Sequence, residues 1–128
     1  MPDRETALRN LAVGDIFHAQ SRNGASLVCL VTALDDGTIY ARRVHTQDDE
    51  RFDRSSGIEV RKQHTRIDCV TPFPPDIQNI LLAMDRKYQE LMALVRQGIE
   101  LTLDQTRMTP DEKRANLSID RHVAANLI

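Results

Sequence analysis

The chain has little cysteine, little glycine, few aromatic residues, no excess of either charge and no long apolar run. Its two cysteines, Cys29 and Cys69, sit inside the apolar stretches LVCLV and IDCV. They read as buried reduced thiols; a disulfide between them would need an oxidising compartment, and nothing in the sequence points to one. Its five glycines fall at turns or element ends, which excludes a glycine-rich phosphate loop. No apolar run is longer than that from Ile80 to Met84, far short of the roughly 20 residues a membrane helix needs. The opening MPDRETALRNLAVGD scatters charges and has no apolar core. No secretory signal is expected there, and a cytoplasmic protein is the default expectation. Lys and Arg number 17 against 19 Asp and Glu, for a net charge of −2. Both halves are nearly balanced, so neither is an electrostatic tail or a membrane-seeking surface.

What is present describes a globular chain. At 128 residues, 41% hydrophobic and 28% charged, it is the size of one domain and too apolar to be disordered. A single domain over 1–128 is expected, β-rich from 13 to 70 and helical from 76 to 127. A short helix near Thr6 to Leu11 precedes a first strand, IFHAQ. Leu27 to Leu34 is the second strand and Thr38 to His45 the third. Between them Asp36-Gly37 signals a type I′ hairpin, whose central residues both need positive φ. TQDDE at 46–50 reads as a loop, followed by a hairpin of Arg51–Arg54 and Ile58–Arg61 around SSG. Ile67 to Val70 closes the strands, and TPFPP stops them. From Asp76 to Gln97 the apolar period becomes helical, through Ile77, Ile80, Met84, Leu91 and Val95, until Gly98. Thr109, Pro110 and Glu112 then open a second helix, in which Ala115, Ile119, Val123 and Leu127 recur.

The second strand is unusual. Leu27 to Leu34 carries no charge and one hydroxyl, and successive side chains alternate between faces. A strand dry on both faces belongs in the middle of a sheet covered on each side. With a two-residue turn, Leu34 faces Ile39, Val31 faces Arg42 and Leu30 faces Arg43; a bulge would shift the partners by one. The helix from 76 to 97 has the apolar breadth to be one cover. Arg42 and Arg43 point to opposite faces, so one guanidinium must reach a rim. The expected fold is α+β: a small curved antiparallel sheet of about five strands, then a long amphipathic helix and a C-terminal helix. Over residues 13–70 the Gly-Asp-Ile opening and short strands resemble the SH3-like barrels, a superfold with many functions.

Sites for chemistry are sparse. His18, His45, His64, His122 and the cysteines show no C-x-x-C, H-x-x-x-H or H-E-x-x-H spacing, so no metal or other cofactor is expected. The serines at 21, 26, 55 and 56 read as turn residues, and no G-x-S-x-G is present. The stretch GDIFHAQSRNGASLVCLV is similar in outline to the start of the PemK/MazF-like toxin ribonucleases. That resemblance implies a charge-stabilising role for Arg22. The family's Arg-Pro step is replaced here by Ala25-Ser26, and its downstream motifs are absent. A nucleic-acid surface would draw on Arg22, Arg42, Arg43, Arg61 and Lys62, with Arg51, Arg54 and Arg66 nearby. Acids interleave with these residues, and the aromatic candidates, Tyr40 and Phe52, suit a core better than a base-stacking platform. The broad stripe of the 76–97 helix and the apolar C-terminus exceed what one small sheet covers. The function expected is therefore a non-catalytic protein-interaction or regulatory module, homodimeric or docked on a protein partner through Leu91, Val95, Ile119 and Val123. Nucleic-acid binding is the alternative, and a membrane partner is not expected.

Overall fold

The computed structural model describes residues 3–61 and 64–128. Helix α1 (Arg4–Arg9) precedes strands β1 (Ile16–Gln20), β2 (Ser26–Leu34), β3 (Thr38–Arg43), β4 (Asp49–Asp53) and β5 (Arg66–Cys69). Helices α2 (Pro75–Arg96), α3 (Leu103–Thr106) and α4 (Pro110–Ala125) follow. The strands form one antiparallel sheet in the order β4-β3-β2-β1-β5. This is the α+β arrangement the sequence predicts, a small curled sheet followed by a long helix and a C-terminal helix.

β2 is the central strand, and it separates two apolar layers. Leu27, Cys29 and Val31 point into the concave side with Phe17, Ala19, Ile39, Ala41, Phe52 and Ile67, capped by Leu8 and Leu11. Phe17 and Phe52 meet there edge to face, with centroids 5.3 Å apart, a favoured aromatic geometry. Val28 points to the opposite face. There it joins Ile16, Val44, Cys69 and Phe73 beneath Ile77, Leu81 and Met84 of α2 and Ala115, Ile119 and Val123 of α4. The dryness ends early, because Thr32 and Ala33 are exposed. Both cysteines are free and buried, one in each layer.

Several local expectations are corrected. Neither Asp36 nor Gly37 has positive φ, so the β2–β3 turn is not type I′. The Asp35 carboxylate holds it instead, accepting from the backbone N–H of Gly37 (3.0 Å) and Thr38 (2.7 Å), an Asx turn. Leu34 faces Ile39 as expected, but a bulge between Val31 and Ala33 moves Leu30 onto Arg42 and Val31 onto Ala41. Part of the expected 46–50 loop is strand, since β4 begins at Asp49. The second arm of the expected hairpin is reduced to isolated bridges, Phe52 to Glu59 and Ile58 to Arg66. α3 is an added turn, held by a Thr102–Gln105 capping box. Leu127 lies past the end of α4 and is exposed.

The 57–60 segment bridges the two edge strands. Asp53 N–H donates to Ile58 O and Val60 N–H to Arg51 O on the β4 side, while Ile67 N–H donates to Gly57 O on the β5 side. The strap also packs on α1, where Arg4 Nε and Nη2 donate to Ser56 O at 3.0 and 2.7 Å. Gly57 has φ +72°, and a Cβ there would lie 2.5 Å from Arg4 Nη2 and 3.2 Å from a Leu8 methyl. A side chain would meet both backbone strain and a clash. Gly57→Ala is expected to cost about 2 kcal/mol in urea unfolding; an unchanged midpoint would show that the strap yields freely.

Candidate functional site

The most organised polar cluster lies on the helix-covered side of the sheet, where β1, β2 and β5 meet. His18 pairs with Val28 across β1–β2, which places Ser26, two residues before Val28, on the same face as a diagonal neighbour. On its other side, β1 pairs with β5 through a register shift. His18 faces Cys69 and Ala19 faces Ile67, leaving Asp68 as the extra residue. A bulge of this kind redirects a side chain, and the Asp68 carboxylate reaches His18 Nδ1 at 2.6 Å. His18 Nε2 is hydrogen-bonded to the Ser26 hydroxyl. An ionised Asp68 only accepts, so Nδ1 carries the ring proton; in the neutral imidazole Nε2 then accepts from Ser26 O–H. His18 and Asp68 are buried and Ser26 is exposed. Ser26 is thus the first residue of β2, not the turn residue its sequence neighbours suggest.

Ser26 opens on a shallow cleft of about 310 Å³, lined also by Val28, His45, Asn116, Ile119 and Asp120. His45 Nε2 donates to Asn116 Oδ1 at 2.9 Å. The opposite end of that amide, Nδ2, donates to the Met108 thioether at 3.5 Å, a weak acceptor. His122 sits elsewhere, stacked on Phe73 with its Nε2 donating to Thr71 O. Among the described residues, no three His, Cys, Asp or Glu side chains gather as a metal site would require, and no helix is long and apolar enough to cross a membrane.

The residues expected on a nucleic-acid surface are dispersed. Arg42 makes a two-pronged contact with Asp85 of α2, Nε–Oδ1 3.1 Å and Nη2–Oδ2 2.8 Å. Arg43 lies 3.7 Å from both Asp48 and Glu50. Arg22 sits in the β1–β2 turn, 3.5 Å from His64 Nε2. Arg61 lines a separate cleft with Asp49, Glu50 and Arg51. Lys62 lies outside the described residues. The two arginines of β3 are therefore matched by carboxylates within the chain.

The expected protein-contact residues divide in two. Ile119 and Val123 are buried in the outer layer against the sheet, so their stripe covers the chain's own core. Leu91 is half-buried and Val95 is 47% exposed. No known protein family, curated protein or solved structure matches this chain.

Asp85 ties α2 to β3 and to the turn after it, because Gln47 Nε2 also donates to it at 2.9 Å. Gln47 itself is held at φ +63°. Burial pushes the Asp85 carboxyl upward, but the hydrogen bonds from Arg42 and Gln47 and the charges of Arg42 and Arg86 outweigh it. The result lies below the ordinary carboxylate value. A carboxylate depressed on folding stabilises fully above its unfolded pKa, and that contribution is lost as pH falls through the folded value. Asp85→Ala leaves Arg42 without its partner and is expected to cost about 3 kcal/mol at neutral pH. In urea unfolding, the wild-type advantage over Asp85→Asn should shrink below the unfolded carboxylate pKa. A constant difference down to the acid limit would contradict this assignment.

Proposed function

We propose that this protein acts through protein contacts made by the distal half of α2, and that its partner is a second copy of itself. One observation carries the reading. The buried residues of α2 are Ile77, Leu81, Met84 and Asp85, all in its first half. A helix of 22 residues is about 33 Å long, so its buried positions occupy only about half of that length. Beyond Asp85 no residue of α2 is buried, although Gln89, Met92 and Arg96 still share a cleft with Arg42, Gln47 and Asp49. Near the middle of α2, Lys87 Nζ ties it to Glu112 Oε1 of α4 at 2.7 Å.

Past that tie the apolar stripe continues. Leu91, Met92 and Leu94 are half-buried and Val95 is exposed. Gly98 then ends the helix in a Schellman-type cap, with Gly98 N–H donating to Val95 O and Ile99 N–H to Leu94 O. This cap folds Ile99 back toward the stripe. Ile99 is 46% and Leu103 84% exposed, so the segment that follows also presents apolar side chains. Exposed apolar surface favours association, and a stripe on one helix suits an isologous twofold pairing. The nucleic-acid alternative is weaker because Arg42 and Arg43 have carboxylate partners inside the chain.

Light scattering after gel filtration tests the reading. The wild type is expected to elute as a dimer, and Leu91→Asp or Val95→Asp as a monomer with unchanged far-UV circular dichroism. A monomeric wild type, or variants that remain dimeric, would overturn it.

A further inference from the structure

We propose that Ser26 is an acyl-accepting nucleophile, with His18 as its base, in a cleft suited to small neutral or cationic esters. The inference rests on different residues from the α2 contact and stands independently of it. Asp68, His18 and Ser26 form a continuous chain of hydrogen bonds that ends in an exposed hydroxyl at the cleft. A serine is a poor nucleophile until a neighbouring base removes its proton, and that base needs a third group to fix its tautomer. Asp68 fixes it here, and a buried carboxylate also stabilises the imidazolium that forms.

The step balances within the site and one water. His18 Nε2 takes the Ser26 proton as Oγ bonds to the ester carbonyl carbon, and the C=O electron pair moves onto oxygen. Asn116 lines the same cleft, and its Nδ2 engages the Met108 thioether, a weak acceptor that an oxyanion would displace once the amide turns toward it. When the C=O bond re-forms, the alkoxide leaves with the proton from Nε2 and the acyl group stays on Ser26. Water then gives a proton to Nε2 and attacks the acyl carbon, and Ser26 recovers its proton as the acid departs.

The cleft limits what enters. Its volume, about 310 Å³, is at the small end for ligand sites. Val28 and Ile119 supply apolar wall for a short acyl chain. Among the described residues lining it, Asp120 is the one acidic side chain and no Lys or Arg is present. A carboxylate-bearing substrate would therefore be repelled, and an ammonium-bearing one tolerated or favoured.

Intact-mass measurement after exposure to a fluorophosphonate probe tests the proposal, paired with hydrolysis of p-nitrophenyl acetate and of its glycyl (cationic) and succinyl (anionic) counterparts. One adduct per chain is expected, located on Ser26 and absent in Ser26→Ala, with acetyl and glycyl esters cleaved faster than the succinyl ester. Because Ser26 is exposed, Ser26→Ala should keep the wild-type circular dichroism. Asn116→Ala is expected to slow acetate turnover by about 100-fold. An unlabelled folded protein, an adduct elsewhere, or equal turnover by Ser26→Ala would overturn the proposal.

Discussion

The structure depends on one constraint: β2 must be kept from water on both faces at once. Its alternating side chains divide between two layers, Leu27, Cys29 and Val31 in one and Val28 in the other. Burying an aliphatic side chain of this size is worth about 1.5–3 kcal/mol, so leaving either face of β2 wet would cost a large part of the stability of an ordinary domain. Each cover follows from that demand. The curl of the sheet with α1 closes the concave side, and α2 with α4 closes the convex side. Where the demand ends, at Thr32 and Ala33, the strand bulges and becomes exposed.

The polar clusters are arranged at the margins of this sandwich. Asp85 receives Arg42 and Gln47 at the place where a β3 arginine would otherwise point under a helix. Glu112 performs a similar task between the helices. Burial pushes its carboxyl upward, but the hydrogen bond and charge of Lys87, with the Thr109 cap, outweigh that and hold it below the usual range. His18 is different, because its partners are a carboxylate and an exposed hydroxyl rather than an opposing cation. That contrast sets the Ser26 site apart from the ion pairs around it.

Much of the fold was legible in the sequence because it rests on periodicity. The two-faced dryness read over Leu27–Leu34 points to a central strand, although it holds only as far as Val31, and the 3.6-residue spacing after Asp76 locates α2 to within a residue at each end. The expected Arg51–Arg54 strand covers most of β4, but its start was obscured because the first inward position is Glu50. A buried glutamate breaks the polar–apolar alternation that marks a strand. α3 carries the same capping signature as α4, Thr102–Gln105 against Thr109–Glu112, but no apolar period follows it. Ile119 and Val123 were recognised as an apolar face, yet a stripe cannot say whether it covers its own sheet or another chain. The His18–Asp68 contact was out of reach, since it joins residues 50 apart through a bulge that has no sequence mark. Ser26 was concealed by Gly24 and Ala25, whose turn chemistry already accounted for a serine.

The measurement that tests the sandwich most directly is native-state amide hydrogen exchange followed residue by residue. The amides of Leu27 to Val31 should exchange only through global unfolding and be the slowest in the chain, with those of β4 and the distal half of α2 opening earlier. If the β2 amides instead exchange as fast as those of β4, the strand is not the element on which both layers depend.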